Sequence, residues 1–266
     1  MRKIIIDAGH GFNTPGKRTP NGEREWTFND KVARAVVRKL NEYSGVQILR
    51  VDDQTGKMDI PLKTRTDRAN NWKADVYISI HHNALRGVWG NHGGVECYTL
   101  DHPSVSPKSR QIAAIIHPRI VQAMGLRDRG LKTRNLHVLR ETHMPAILTE
   151  GGFMDSTIDI RTMQNDSKLI AQGNSIAEGL AIYFKLQTKV ASEDVSMWEK
   201  RDGLLKLSQW QKDEVIKIYK HARGKGVFSS AEHETDIKDG KMTVDKAIFL
   251  STMIAGSTLN GGNRIK

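Results

Sequence analysis

The sequence has 266 residues, enough for one large domain or for a large domain joined to a small one. Its 41 Lys and Arg outnumber 30 Asp and Glu, and the formal net charge of +11 favours an anionic partner: nucleic acid, an acidic membrane surface or an anionic polymer. The single cysteine, Cys97, excludes an internal disulfide and a cysteine-rich zinc knuckle, so a metal ion would need His and carboxylate ligands.

The start of the sequence has no recognisable targeting segment. Residues 1–3 lead directly into a predicted strand, without the apolar core or the small-residue cleavage site of a signal peptide. No apolar run reaches the length of a membrane span. We therefore expect a protein that is made in the cytoplasm of its host without an export signal and that does not insert into a membrane.

Predicted strands and helices alternate in the N-terminal part of the chain. Apolar residues recur at helical spacing after Trp26 and stand in short β-branched runs elsewhere. The predicted elements are a strand at 3–10, a loop at 11–22, a helix from Trp26 to Leu40, a strand at 46–51, a helix at 62–72 and a strand at 75–84. This alternation is typical of an α/β fold, here a mostly parallel twisted sheet flanked by helices.

The pattern continues to about residue 188 and then changes. We predict a strand at 93–100, a helix at 106–124, strands at 136–139 and 146–149, and a closing helix at 169–186. A polar segment without periodicity at about 189–196 indicates a linker. Residues 197–266 then predict a small all-α domain, with Ser208 and Gln211 capping one helix and Thr243 another.

Three of the predicted strands end in polar residues that can bind metal or transfer protons. The first ends at His10, the central strand at His81 and His82, and a later one at Glu150. In open α/β sheets, ligands bind outside the carboxyl ends of the strands, so these ends can converge on one crevice. Glu25, in or just before the first turn of the first helix, can join them.

Two histidines and a carboxylate are the ligands of an open catalytic zinc site. The candidates are His10, Glu25 and either His81 or His82, because adjacent strand residues point to opposite faces and only one of the two can reach the metal. Zinc lowers the pKa of a bound water to about 7, and a nearby base must take up the proton. Glu150 is the natural choice for that base.

Each of these residues also has an ordinary structural explanation. A histidine at a strand end is usually a hydrogen-bonded core or surface residue, and a glutamate in a first helical turn interacts favourably with the helix dipole. Glu150, beside two glycines, could be a solvated turn residue. The convergence of all these positions on one edge of the sheet favours a metal hydrolase over these separate explanations.

Five motifs in order resemble the zinc-dependent N-acetylmuramoyl-L-alanine amidases of the type 3 family. They are IIIDAGHG from Ile4, the segment from Glu25 to Asn29, SIHHNA from Ser79, GVECY from Gly94 and PAILTEGGFM from Pro145. The resemblance covers residues 1–186. It implies a zinc amidase catalytic domain over about residues 1–188 that cuts the amide between the lactyl group of N-acetylmuramic acid and L-alanine in peptidoglycan.

The resemblance also implies the roles of individual residues. One Zn²⁺ per chain would be held by His10, Glu25 and His81, with His81 preferred over His82 and Glu25 over the nearby Glu23. The catalytic glutamate of the family matches Glu150.

The basic, two-part, signal-less chain further resembles a phage or prophage endolysin, an enzyme that causes bacterial cell lysis. That resemblance implies a holin-type partner for release and action at the cell wall afterwards. It suggests that residues 197–266 bind a cell-wall or spore-surface ligand. The apolar residues of this region, however, favour a helical core over a sugar-binding face; they are Trp198, Leu204, Leu207 and Trp210.

Two other functions fit part of the sequence. A zinc peptidase acting on the stem peptide would use the same chemistry on a different amide. A non-catalytic basic module could bind nucleic acid or another anionic polymer, but the sequence lacks an RNP, helix-hairpin or zinc-finger pattern, so we expect no nucleic-acid partner.

Overall fold

The computed structural model describes residues 1–100, 107–189, 216, 219–220, 232–239 and 241, and the chain divides into two compact units, Met1–Lys189 and Val190–Lys266. A six-stranded sheet forms the centre of the first unit. Its strands are β1 (Arg2–Ala8), β2 (Val46–Arg50), β3 (Val76–Asn83), β4 (Val95–Thr99), β5 (Asp128–Thr133) and β6 (Ala146–Phe153). Its helices are α1 (Glu25–Leu40), α2 (Leu62–Asn71), α3 (Pro107–Met124), α4 (His137–Arg140), α5 (Asp159–Met163) and α6 (Asp166–Phe184).

The strand order across the sheet is β2-β1-β3-β6-β4-β5. β1, β2, β3 and β6 run parallel to one another, β4 is antiparallel to β6, and β5 is parallel to β4. The prediction of a mostly parallel α/β sheet with flanking helices is therefore confirmed for this unit. Because β1, β3 and β6 are adjacent and point the same way, their carboxyl ends lie side by side.

The sheet separates two apolar cores. The larger core lies on the face of the sheet that carries Ile4 and Ile6 of β1 and the neighbouring apolar residues of β3. Helices α1, α3 and α6 cover this face. Ile5 and Tyr77 face the opposite way and pack with α2 and α4 in the smaller core. The central strands thus carry apolar side chains on both faces of the sheet. Such continuous apolar runs are typical of strands that helices cover on both sides.

The strand predicted at 136–139 is wrong. These residues lie largely in the short helix α4, where Val138 and Leu139 are buried against the smaller core. The sixth strand is β5 instead, an edge strand of the sequence DRGLKT with no apolar run. Because β5 has one strand neighbour and little burial, its residues are mostly polar and its periodicity is weak. The short helix α5 is also absent from the predicted elements.

The second unit contains a helix at Glu232–Lys238, in which Ile237 is buried. The predicted linker at 189–196 falls almost entirely outside the described residues. So do the helix caps at Ser208 and Thr243 and the four apolar residues from Trp198 to Trp210, and the small all-α domain stays a prediction. In the part of the chain that the structure describes, no helix combines the length and apolar character needed to cross a membrane.

Candidate metal centre and active site

His10, Glu25 and His81 meet at the carboxyl edge of the sheet and are called the triad below. One potential ligand atom from each lies within 4.8 Å of the other two. Glu25 is central, since its Oε2 lies 3.3 Å from Nε2 of His10 and its Oε1 lies 3.0 Å from Nδ1 of His81. The glutamate is buried and both imidazoles are half-buried. The three side chains could together hold a metal ion.

Three different elements bring the triad together. His10 follows β1 with a φ of 66°, a left-handed conformation that histidine adopts more readily than most residues. Glu25 is the first residue of α1. His81 lies near the end of β3, and the two imidazole rings meet edge to face with centroids 4.9 Å apart.

His82 and Glu23 do not join the triad. The His82 ring is buried on the opposite face of β3, where its Nδ1 lies 2.8 Å from Oδ1 of Asn29 and its Nε2 lies 3.2 Å from Oε1 of Gln172. Burial lowers the pKa of His82 to about 4, so the ring is neutral. Glu23 instead accepts hydrogen bonds from the side chain of Gln164.

Asn29 links the buried His82 to the triad. Its Nδ2 donates to the Gly9 carbonyl at 3.1 Å and to Oε1 of Glu25 at 3.3 Å, while its Oδ1 faces the imidazole of His82. These contacts fix the direction of the Glu25 carboxylate. Such outer hydrogen bonds commonly orient the ligands of a metal ion.

The protonation of His10 and Glu25 suits a cation. Burial lowers the pKa of His10 to about 4 and leaves this ring neutral near pH 7. Burial alone would raise the pKa of Glu25, but the hydrogen bond and charge of His81, together with His10, lower it to about 2. An ionised carboxylate next to an imidazole with a free lone pair is the form in which these side chains bind metals. Burial opposes the charged form of His81, but the hydrogen bond and charge of Glu25 raise the pKa of this ring, so a metal ion must displace a proton there.

Gly9 lies directly against the His81 ring. A Cβ atom at position 9 would be 2.1 Å from Cε1 and 2.3 Å from Nε2 of His81, closer than non-bonded atoms can approach. The Gly9 amide is also fixed, because it donates to the carbonyl of Ile80 at 2.9 Å. Glycine at this position therefore allows His81 to occupy its place in the triad.

We expect Gly9→Ala to displace the His81 ring and to weaken metal binding by about 10- to 100-fold, the usual cost of disturbing the support of a ligand. Competition with a chromogenic chelator would measure this. The matched control is Gly179→Ala, which inserts a Cβ 2.7 Å from Cγ1 of Ile116 in the core between α6 and α3. Equal metal affinity in the Gly9 variant and the native chain would contradict the steric explanation.

Arg65 on α2 binds the end of β1 next to the triad. It is buried, and its Nη1 donates to Asp7 Oδ1 at 2.6 Å and to the Ala8 carbonyl at 2.8 Å. Its Nη2 donates to the His10 carbonyl at 3.0 Å. Because the guanidinium binds the backbone on both sides of Gly9, it fixes the turn that presents His10. A cavity of about 280 Å³ opens beside Arg65, His10 and His81.

We expect Arg65→Met to lower the free energy of unfolding by about 3–5 kcal/mol, since it leaves Asp7 buried without its charge partner. Among the described residues, Asp7 then retains only hydroxyl donors, from Tyr77 and Ser79. The double variant with Asp7→Asn should recover part of the loss, as urea denaturation of both variants would show. A double variant less stable than Arg65→Met would contradict a charge-pairing role.

Glu150 lies on β6 directly opposite His81 in the register of β3 and β6, so both side chains project from the same face of the sheet. Its Oε2 is buried and has no hydrogen-bond partner among the described residues. Burial raises the pKa of Glu150 to about 8. A carboxyl group whose pKa lies near neutral pH is suited to accept and return a proton.

Local sequence patterns do not identify Arg65 as a support of the site. Arg65 lies in a helix rich in charged residues, and nothing in its spacing separates it from its exposed neighbours. The partners through which it holds the end of β1 are Asp7, Ala8 and His10, which are 55 to 58 residues away along the chain. A local pattern therefore contains no signal for this contact.

Comparison with known proteins gives consistent results. Residues 4–181 match the family described as N-acetylmuramoyl-L-alanine amidase. The chain is 39% identical over 193 residues to the sporulation-specific N-acetylmuramoyl-L-alanine amidase of Bacillus subtilis, covering 72% of each chain. It is 33% identical over 195 residues to the endolysin of Bacillus phage SPP1, covering 71% of this chain and 69% of the other.

Solved structures are similar to the same part of the chain. The catalytic domain of CwlV, an N-acetylmuramoyl-L-alanine amidase from Bacillus (Paenibacillus) polymyxa var. colistinus, matches with a TM-score of 0.63 and 29% identity. The match covers 70% of this chain and 100% of that domain.

Proposed function

Because the chain belongs to the N-acetylmuramoyl-L-alanine amidase family, a group of peptidoglycan hydrolases, we propose that it works with one Zn²⁺ ion held by His10, Glu25 and His81. The bond cut is the amide between the lactyl group of N-acetylmuramic acid and L-alanine. The observation that carries this proposal is the convergence of the three donor side chains within 4.8 Å.

The donor set fits zinc better than a hard cation. Zinc accepts imidazole nitrogen and carboxylate oxygen together and leaves a position open in catalytic sites, whereas Mg²⁺ and Ca²⁺ prefer oxygen ligands alone. The low pKa values of His10 and Glu25 keep both in ligand form near pH 7. When bound, the ion would polarise the scissile carbonyl and acidify a water molecule.

Glu150 supplies the proton transfers in this proposal. Its carboxylate takes a proton from the water whose oxygen attacks the carbonyl carbon, and it then gives that proton to the alanine nitrogen as the carbon–nitrogen bond breaks. The products are a lactyl carboxylate on the glycan and a free alanine amino group on the stem peptide. The unpartnered, buried Oε2 of Glu150 supports this role, because no other described residue competes for its proton.

The test is digestion of purified peptidoglycan with chelator, without chelator and after zinc is added back. We expect new N-terminal alanine only when the metal is present. New amino groups on other residues would instead support a stem-peptide zinc peptidase. Binding to peptidoglycan without release of any product would support a non-catalytic basic module.

We further propose that the chain acts as an endolysin of a phage or prophage, made in the host cytoplasm and released to the wall by a holin-type partner. The similarity to the SPP1 endolysin supports this role. Wall hydrolysis during sporulation is the second candidate, favoured by the higher identity to the sporulation-specific amidase. Cytoplasmic expression with and without a holin, followed by culture turbidity, tests the first; comparing vegetative and spore walls as substrates tests the second.

Residues 197–266 are proposed to bind a wall or spore-surface ligand. The full chain carrying Glu150→Gln and a chain ending at Lys189 with the same substitution can be compared by co-sedimentation with purified walls and intact spores. We expect the full chain to sediment with at least one of them more strongly. Equal sedimentation of both chains would remove the targeting role.

A further inference from the structure

A second buried glutamate lies next to Glu150 on the side away from the triad. Glu96 on β4 is directly opposite Glu150 in the antiparallel pairing of β4 with β6, so the two side chains share one face of the sheet. Glu96 is only 2% exposed. His81, Glu150 and Glu96 therefore form a row across three adjacent strands, β3, β6 and β4.

Two cations from β5 share the single carboxylate of Glu96. Arg129 donates its Nε to Oε1 of Glu96, and the Lys132 ammonium group lies 2.5 Å from the same oxygen. The Arg129 guanidinium also lies 5.0 Å from the ring centroid of Phe153, which holds it in place. One negative charge between two positive ones leaves this cluster with a net positive charge.

The cluster keeps unused hydrogen-bond donors. The remaining partner of Arg129 is the Gly93 carbonyl, at 3.4 Å from Nη1, and its Nη2 has none in the described part of the chain. The Lys132 side chain is 36% exposed and bonds only to Glu96 among those residues. Both cations can therefore bind an anion without breaking their contact to Glu96.

The distance between this cluster and the triad matches the spacing of groups along the substrate. Neighbouring strands lie about 5 Å apart, so Glu96 is about 10 Å from His81 across the sheet. In a stem peptide, the residue after the first alanine is an isoglutamyl group, and its α-carboxyl lies two residues, or up to about 7 Å, beyond the scissile carbonyl. A hydrogen bond of about 3 Å from Arg129 or Lys132 completes the distance. With the scissile carbonyl at the triad, that carboxyl reaches the region of Arg129 and Lys132.

We propose that Arg129 and Lys132, held by Glu96, form a carboxylate-binding subsite for the second residue of the stem peptide. This inference rests on the proposed amidase function and adds a substrate preference to it. The enzyme prefers peptidoglycan in which this α-carboxyl is free over peptidoglycan in which it is amidated. The stem peptide then extends over β4 and β5, and the glycan lies on the side of β1.

The test compares two muramyl peptides that differ only in this group, muramyl-L-alanyl-D-isoglutamate and its D-isoglutamine counterpart. For the native chain we expect kcat/KM to be at least about tenfold higher for the free carboxylate, the usual effect of a charge-assisted hydrogen bond. Arg129→Gln and Lys132→Gln should each reduce this ratio towards one, mainly by slowing the carboxylate substrate. Arg129→Lys keeps the charge and should retain part of the preference.

The matched control is Lys39→Gln, which removes one positive charge from the last turn of α1, at the end opposite Glu25. It should leave the ratio unchanged. A native enzyme that hydrolyses both peptides equally would overturn the subsite and leave the amidase proposal intact. Variants that slow both peptides by the same factor would also overturn it, because a merely structural network has that effect. Failure of the native chain to cut either peptide or peptidoglycan itself would overturn the amidase proposal and the subsite together.

Discussion

Replacing Glu150 with glutamine is expected to lower kcat for amide hydrolysis by about 100- to 10,000-fold, the range that a positioned general acid–base group contributes. Glutamine has nearly the same shape but cannot accept the proton of the attacking water or return it to the leaving nitrogen. Because Glu150 is not a member of the triad, the variant should remain folded and bind zinc with native stoichiometry. Product release from purified peptidoglycan and metal analysis of the same sample would measure both.

The pH dependence should change together with the rate. Burial raises the pKa of Glu150, and only the ionised carboxylate accepts a proton, so native kcat/KM should fall as pH decreases through that pKa. A cation bound at the triad favours the ionised form and moves this fall to lower pH. Glu150→Gln should lack this acidic limb altogether.

An exposed glutamate provides the control for the Glu150 experiment. Glu141 lies on the surface, paired with Arg140, and Glu141→Gln removes the same charge ahead of the amino end of β6, opposite the edge that holds Glu150. It should keep the native rate and pH profile. A Glu150→Gln enzyme with more than a tenth of native activity would remove this residue from the proton transfers.

The parts of the fold that could be predicted from the sequence are those with a buried, repeated environment. β1, β3 and β6 are covered on both faces, so nearly every residue in them is apolar and each strand ends where polar residues begin. β5 is an edge strand with alternating exposure, and its sequence resembles a loop. The apolar residues of 136–139 predict a strand because burial alone does not distinguish a short helix packed on a sheet from a strand within it.

The candidate site also has parts that the sequence reveals and parts that it does not. The triad and Glu150 lie at strand or helix ends, where an abrupt change from apolar to polar residues can be recognised in the sequence. The choice between His81 and His82 depends on which face of β3 is open at the carboxyl edge, and α1 and α6 decide this by burying His82. Strand periodicity gives the alternation but not the covered face.

Removal of a triad side chain is the second large effect that we expect. His81→Ala, His10→Ala and Glu25→Gln should each weaken zinc binding by more than about 100-fold, beyond the usual cost of disturbing an outer hydrogen bond, and activity should be lost with the metal. For the native chain, chelation should abolish activity reversibly, and added zinc should raise the melting temperature by mass action. In the triad variants, zinc should leave the melting temperature unchanged.

Two further histidine variants distinguish a residue that binds the metal directly from one that only orients a ligand. His143 is exposed and lies just before the amino end of β6, at the edge of the sheet opposite the triad, so His143→Ala should bind zinc normally. His82→Ala removes the partner of Asn29, which orients Glu25, and should weaken zinc binding by about 10- to 100-fold without abolishing it. The order of zinc affinity, native and His143→Ala above His82→Ala above His81→Ala, follows from the opposite directions of the two adjacent rings. Stoichiometric zinc in His81→Ala together with its loss in His82→Ala would reverse that assignment.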